Sequence, residues 1–526
     1  MVNKQLFQTR QGAAPTAVNT LNHQNAGAYA FGPRHQLAQM AVTGALGQTF
    51  YASAEEQLDQ IANLVVTVDN AFTAKTAIYA RQRGYMKDMP ATLAAALAVW
   101  DTDLLAQVFS RVVDNGKMLR NFVQIVRSGA MGRKSLGTAP KKLVQNWLLT
   151  ATEKQLLNAS VGNTPSLADV VKMVHPKPQE AWRATWFAWL IGKPFNEADL
   201  PPITQAFERF KREKANGVTS MDVPDVPFQM MTALELNTKQ WAAIAKNGSW
   251  QMVRQNLNTF ARHGVFEVKG MTDLIAAKLK DASAVAKARA MPYQLLSAFK
   301  ASDEKVPNKV REALQDAMEK ALANVPSFAG SVVVCPDVSG SMSSPVTGYR
   351  AGATTTVRCI DVAGLMAAAV LRKNREARVL PFEQKVVTGL KLNARDSVMT
   401  NATKLAGIGG GGTNCSAPLK QLADEKAHVD LVIMVSDNES WVDGVRRGAT
   451  QTMLEWERIK HRNPNAKLVC IDIQPYGTTQ AMERQDILNV GGFSDAVFDV
   501  VASFAKGELG AEHWVGEIEK IVIAPQ

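Results

Sequence analysis

Cysteine is scarce in this chain and poorly placed for cross-linking. The four present, Cys335, Cys359, Cys415 and Cys470, all lie in the last two-fifths, and no two stand at C-x-x-C spacing. That pattern argues against a zinc site and against a disulfide framework, and it suits a reducing cytoplasm. Long apolar runs are missing as well: none reaches the roughly 18 residues of a membrane span, so no membrane partner is expected. The opening MVNKQLFQTRQGAAPT has no apolar centre and is not read as a secretory signal. From His35 to about Ala323 the chain also lacks strand-like alternation of any length, and it carries no strict repeat period.

What remains is a two-part chain. Residues 1–30, rich in Gln, Asn, Ala and Gly, read as an arm that is ordered only if it packs on something. Beyond it, stretches such as Ala91–Trp100 and Leu104–Val112 place apolar residues at helical spacing. Breakers including Pro90, Gly132, Pro176 and Gly248 separate them. Many helices joined by short turns suit stacked antiparallel pairs, an α-solenoid. After Val325–Pro326 the rhythm changes. Strand-like runs at Val332–Val334, Ala377–Phe382, Leu431–Val435 and Lys467–Ile473 alternate with helical stretches at Val362–Leu371 and Thr450–Lys460. This is the βαβ pattern of a doubly wound parallel sheet. The expected domains are therefore 1–327, all-α, and 328–526, α/β.

Charge divides at the same place. Residues 1–327 hold 38 Lys+Arg against 26 Asp+Glu, an excess of 12, whereas residues 328–526 hold 21 against 22. A basic first part points to a polyanionic partner or to a solvated basic surface. Its densest segment, 111–142, carries eight basic residues and one acid, Asp114. Arg120 and Arg127 share a helical face, and the turn GAMGRKSLGTAPKK presents Arg133, Lys134, Lys141 and Lys142 beside Ser135 and Thr138, a set suited to phosphates. Trp147 and Trp182 are candidates for base stacking or for core packing. Further on, Ser166 and Asp169 form an S-x-x-D helix start. Lys172 and His175 share a face of the helix that follows. His175 either caps that helix's carboxyl end or reaches a phosphate or base.

The second part carries a different chemistry. Asp337, Ser339 and Ser341 follow a buried strand as D-x-S-x-S, Thr413 follows four glycines (Gly409–Gly412), and Asp437 ends the run VDLVIMVSD. Parallel strands bring such loops to one sheet edge. The oxygen donors suit a hard divalent cation, Mg²⁺ first, with Mn²⁺ or Ca²⁺ as substitutes. D-x-S-x-S, then Thr, then Asp resembles the metal-ion-dependent adhesion site of von Willebrand factor A (vWA) domains. In that family the Ser side chains hold the metal, and a partner's carboxylate can complete its shell.

Taken in order, ALGQTFYAS (Ala45–Ser53), GRKS (Gly132–Ser135), SLADVVKMVHPKP (Ser166–Pro178), VPFQMMTALELNTKQWAAIA (Val226–Ala245), RQNLNTFARHGVF (Arg254–Phe266), DVSGSM, GGGGTNCSAP and VSDNES resemble the Ro autoantigen family. These are the TROVE-domain proteins, and the chain is similar to bacterial or phage members. The resemblance implies a HEAT-like helical-repeat ring closed by a vWA domain. It implies a cytoplasmic ribonucleoprotein scaffold, not an enzyme, and a monomer. The RNAs implied are small Y-like RNAs on the basic outer surface and the single-stranded 3′ ends of misfolded RNAs, in the service of RNA quality control. An exoribonuclease such as polynucleotide phosphorylase is a further implied partner. His175 matches the family's RNA-contacting histidine, while the basic pair that animal relatives carry just before this helix is reduced here to Lys154. The expected RNA-binding residues are Arg120, Arg127, Arg133, Lys134, Lys141, Lys142, Lys172 and His175. The expected metal ligands are Asp337, Ser339, Ser341, Thr413 and Asp437. The alternatives are a metal-dependent protein-adhesion scaffold and, behind it, a metal-dependent nuclease.

Overall fold

The computed structural model describes residues 15–219, 222–323, 325–349, 357–442 and 448–523. Eighteen α-helices lie between Pro33 and Ala321. Cap chemistry sets several of their starts. Ser53, Thr152, Ser166 and Asn237 each accept a hydrogen bond from the N–H three residues on, and the side chain at that position bonds back. Both bonds satisfy donors that a helix end leaves open. The alanine-rich helix Asp88–Trp100 is buried over most of its length. Helices Asn70–Gln82, Thr102–Val112 and Gly116–Ser128 pack around it, with Phe109 and Phe122 edge-to-face at 5.3 Å. The array closes on itself. Arg81 holds Asp114 at 2.8 Å, and Arg289, from the array's far end, comes within 4.0 Å of the same carboxylate.

Eight strands complete the chain among the described residues: β1 Thr20–Leu21, β2 Gly27–Ala30, β3 Val332–Pro336, β4 Arg378–Val379, β5 Leu431–Ser436, β6 Lys467–Asp472, β7 Thr478–Thr479 and β8 Ile487–Gly491. Five form the main sheet in the order β4-β3-β5-β6-β8, all parallel. Successive side chains point to opposite faces. Val333, Cys335, Val432, Met434 and Leu468 meet Leu419, Leu422 and Trp456 on one face. Val334, Ile433, Val435, Val469 and Val490 join the other face to helix Cys359–Lys373 and to the core of the helical array. That apolar core runs unbroken from the array into the sheet. The last helix of the array ends at Ala321 and the sheet begins at Val332.

Three details extend the sequence reading. The run Ala377–Phe382 follows β3 beyond its two-residue strand: Leu380 N and Phe382 N donate to Val334 O at 2.9 Å and Pro336 O at 3.1 Å. The strand β8, short and ending in glycine, had no expected counterpart. The N-terminal arm is built into the fold: β1 and β2 form a hairpin, β2 pairs antiparallel with β7, and Tyr29 is buried in the core of the α/β part. Its first fourteen residues lie outside the described ones.

One ionic knot joins the two parts. Asp361, almost fully buried, accepts from Lys300 Nζ at 2.6 Å and from Arg358 N at 2.8 Å. Burial works to raise its pKa, but the bonds from Arg358 and Lys300 outweigh burial and hold it below its usual value. A depressed folded-state pKa stabilises above the unfolded value, near 3.9, and that stability is lost as pH falls through the folded one. Asp361→Ala should therefore cost about 2 kcal/mol at pH 7 and much less near pH 3. Urea unfolding at the two pH values measures this, and an equal cost at both would contradict it.

Candidate nucleic-acid interface and metal centre

Helix Gly116–Ser128 ends at Gly129, whose φ of 81° turns the chain into the loop before helix Thr138–Thr150. Between these elements lies a cleft of about 650 Å³ lined by Arg127, Lys134, Ser135, Thr138, Lys141 and Lys142, with no acidic residue in its wall. Gln145 and Met173 form its far side. Gln145 Nε2 also donates to the Val174 carbonyl at 2.5 Å, which seats the end of helix Leu167–Val174 against the cleft. His175 caps that helix in a left-handed conformation, φ 50°, and both His175 and Lys172 are exposed beside it. The capping box expected at Ser166 and Asp169 is present.

The basic residues fall into two groups. Arg127, Lys134, Lys142, Lys172 and His175 are exposed and Lys141 is half-exposed. Arg120 and Arg133 turn inward. Arg120 donates to the carbonyls of Val161 and Pro165 and fills the space over Gly162, where a Cβ would meet its guanidinium at 2.3 Å. Arg133 reaches the Ala98 carbonyl at 3.3 Å and lies against Gly137. Both arginines brace loops. Trp147 and Trp182 are half-buried against the core, and the Arg183 guanidinium lies over the Trp182 ring at 4.3 Å.

At the carboxyl edge of the sheet the five expected ligands converge. Asp337 Oδ1 accepts from Ser339 N at 2.8 Å and its Oδ2 from Ser436 Oγ at 2.6 Å. Thr413 Oγ1 donates to Ser339 Oγ at 2.8 Å, and the Ser339 and Ser341 hydroxyls lie 3.3 Å apart. Asp437 Oδ1 accepts from Glu439 N at 3.2 Å, and Ser341 acts to lower the Asp437 pKa against the effect of burial. The glycine loop is laid against this group by Gly340 N donating to Gly411 O at 2.9 Å. Gly411 has φ 78°, and a Cβ there would strike the Glu383 carboxylate at 1.7 Å, so the close approach requires glycine.

Every one of these ligands is buried: Asp337 0%, Ser339 1%, Ser341 6%, Thr413 4% and Asp437 3% exposed. Asp472, ending β6, is buried beside them and accepts from Gln39 and Asn438. Burial raises the pKa of Asp337, and burial with repulsion from neighbouring carboxylates raises those of Asp437 and Asp472. The groups that act most on these three acids are hydroxyl, amide and backbone donors and other carboxylates, not cations. Buried carboxylates without a cation are costly, and hydroxyl and carboxylate oxygens converging on one point form a donor set for a hard divalent ion. Among the described residues no three His, Cys, Asp or Glu converge as a metal cluster; three of the five candidate donors are the hydroxyls of Ser339, Ser341 and Thr413. Sequence reading did not single out Ser436, Glu439, Asp472, His23 or Tyr51. Asp472 had a signal, an acid at a strand's carboxyl end. His23 and Tyr51 arrive from the far end of the chain and had none.

The sorting of cations is checked by stability. Arg120→Ala removes charge-assisted bonds to two carbonyls and should cost about 2 kcal/mol. Lys134→Ala and Lys142→Ala, at exposed positions, should stay within about 0.5 kcal/mol of the parent. Denaturant unfolding of the three variants decides, and an Arg120→Ala protein as stable as the parent would contradict the bracing role.

Known proteins resemble both halves. The family profile described as the Ro60 vWA domain matches residues 331–505. The RNA-binding protein RO60 of Deinococcus radiodurans is 24% identical over 523 residues, covering 92% of this chain and 95% of the relative. The RNA-binding protein RO60 of Caenorhabditis elegans is 25% identical over 253 residues, covering 45% of this chain and 37% of the relative. The crystal structure of the Deinococcus radiodurans RO (RSR) protein superposes with a TM-score of 0.60 at 21% identity, covering 91% of this chain and all of that one. A helical array joined to a parallel-sheet domain, with D-x-S-x-S, Thr and Asp on that sheet's carboxyl edge, makes the chain similar to Ro proteins along most of its length.

Proposed function

We propose that this chain is an RNA-binding scaffold that holds Y-like small RNAs on the cleft at Arg127, Lys134, Lys141 and Lys142. It takes the single-stranded 3′ ends of misfolded RNAs into the closed helical array, and it acts as a monomer. The observation that carries the reading is the cleft itself: four cations, two hydroxyls and no acid. Helix Thr138–Thr150 begins there with no side-chain cap, so its first N–H groups add partial positive charge. His175, at the cleft's margin, supplies directional hydrogen bonds to a folded RNA. Threading is supported by Lys87. Solvent reaches it, yet protein surrounds it on most sides, and burial together with Lys117, Arg81 and Arg254 pushes its pKa down to about 8. Positive potential from both ends of the array thus converges at Lys87, and a single strand, unlike a duplex, is narrow enough to reach it. The family resemblance adds an exoribonuclease, such as polynucleotide phosphorylase, tethered through the bound Y-like RNA. No helix among the described residues is long and apolar enough to cross a membrane.

The metal is part of the same proposal. Asp337, Ser339, Ser341, Thr413 and Asp437 would hold one divalent ion, Mg²⁺ first. The ion supplies positive charge that the buried carboxylates otherwise lack. No RNA chemistry is assigned to it.

RNA binding is tested by salt titration on a Y-like RNA and on a hairpin with a 3′ tail. Replacing Arg127, Lys134, Lys141 and Lys142 by Ala should weaken both RNAs and flatten the log–log salt slope by about 0.7 per lost single-strand contact, or about 0.9 on a duplex. His175→Ala should weaken the Y-like RNA alone, with the slope kept. A quadruple variant with the parental slope would exclude the cleft.

Metal binding is tested by calorimetry with MgCl₂. Because the folded acids hold their protons to higher pH than free carboxylates, Mg²⁺ must displace protons. Its affinity should rise with pH, and the observed heat should depend on the buffer's ionisation enthalpy. Asp337→Ala should abolish binding. Buffer-independent heats, or an unchanged affinity in that variant, would reject the assignment.

A further inference from the structure

A vWA metal site that captures a partner's carboxylate must leave one coordination position open to solvent. Here every ligand is buried, and what buries them belongs to other parts of this chain. The loop between helices Pro33–Thr43 and Ala54–Thr67 lies against the first ligand loop: Gln48 and Tyr349 exchange backbone hydrogen bonds at 3.3 and 2.7 Å. Tyr51, from the same loop, brings its hydroxyl to the edge of the site, where Ser341, Asp437 and Glu439 all act on it. The Tyr51 hydroxyl also accepts from Gln24 Nε2 at 2.5 Å, and the Tyr51 N–H donates to the Tyr476 hydroxyl at 3.3 Å. The N-terminal arm covers the other ligand loop. Asn22 Nδ2 donates to Ser440 O at 2.6 Å, and His23 N to Glu439 Oε2 at 2.7 Å. His23 and Tyr51 then stack with their rings 5.6 Å apart, so arm and loop form one cover.

We propose that the metal site is closed from within, by Tyr51 and the arm at Asn22–His23, so that a divalent ion bound there clamps the helical array and the N-terminal arm onto the α/β domain. This rests on the reading of the site as a metal site. Two of the three loops that supply ligands, 337–349 and 437–440, are also the loops that hold the cover. An ion that fixes the Ser341 and Asp437 side chains therefore fixes what is bonded to them. A phenol is neutral near pH 7, so Tyr51 closes the site without adding negative charge. A partner's Asp or Glu gains access only when Tyr51 and the arm withdraw.

The test is hydrogen–deuterium exchange, read by mass spectrometry, on the full chain with EDTA or with MgCl₂, beside calorimetry on the same samples. At Mg²⁺ about 100 times its Kd, opening that requires loss of the ion is suppressed by up to ~100-fold. Exchange in 15–31 and 44–53 should slow accordingly, and exchange in helix Leu167–Val174 should not change. Tyr51→Phe keeps the ring. It should bind Mg²⁺, exchange like the parent in EDTA, and lose the Mg²⁺-dependent protection of 44–53. Calorimetric Mg²⁺ binding without slower exchange in either segment would overturn the clamp and leave the metal site standing. A Tyr51→Phe protein that exchanges faster equally with and without Mg²⁺ would overturn the role of the hydroxyl. Absence of Mg²⁺ binding to the parent would overturn the metal site and the clamp together.

Discussion

Three carboxylates, Asp337, Asp437 and Asp472, are buried side by side at one edge of a sheet, and much else in the molecule answers to that placement. Moving a carboxylate out of water costs several kcal/mol even after relaxation, and neighbours of like sign add to it. Backbone N–H groups, Ser436, Gln39 and Asn438 meet part of that cost with hydrogen bonds. Gln39 belongs to the first helix of the array, so the electrostatics of the sheet edge and the seating of the helical part are one problem. The same edge collects the glycine loop, the arm and the loop at Tyr51. A bare surface site would need none of these.

The helical array handles charge the opposite way. Its surface keeps a local excess of cations in a cleft without acids, while arginines of the same sequence segment are turned inward as braces. Arg120 and Arg133 show why a count of basic residues overstates an anion site. A guanidinium has five donors in a fixed fork, and a loop with free carbonyls competes for them as well as a phosphate does. Lysines, as exposed point charges, remain for the ligand. Affinity built this way is sensitive to salt and indifferent to base sequence. On the reading proposed above, any preference for a folded RNA then falls to the groups at the cleft's margin, of which His175 is one.

Fold class was legible because each half has its own periodicity: helical spacing with breakers up to about residue 323, then apolar β-branched runs ending in acids or glycines. The grouping of the candidate metal ligands was legible for a related reason. Parallel strands bring their carboxyl ends together, so Asp337, Thr413 and Asp437 could be placed at one edge from strand order alone. What could not be read were contacts across the whole length of the chain. Nothing local marks Tyr51, His23 or Gln39 as neighbours of Asp437 and Asp472. Their roles come from the packing of the first helix on β8 and from the pairing of β2 with β7. The inward turn of Arg120 was hidden for the same reason, since it depends on where the carbonyls of 161–165 come to lie.

The claim that most of this rests on is that RNA lies on the helical part, along the cleft and the end of the Leu167–Val174 helix. Ultraviolet cross-linking of the purified chain to a Y-like RNA with a 3′ tail, followed by mass spectrometry of the cross-linked peptides, tests it directly. The account predicts cross-linked peptides from 127–145 and from the segment around Lys172–His175, lost together at high salt. Cross-links confined to 331–505, with none in the helical array, would contradict it.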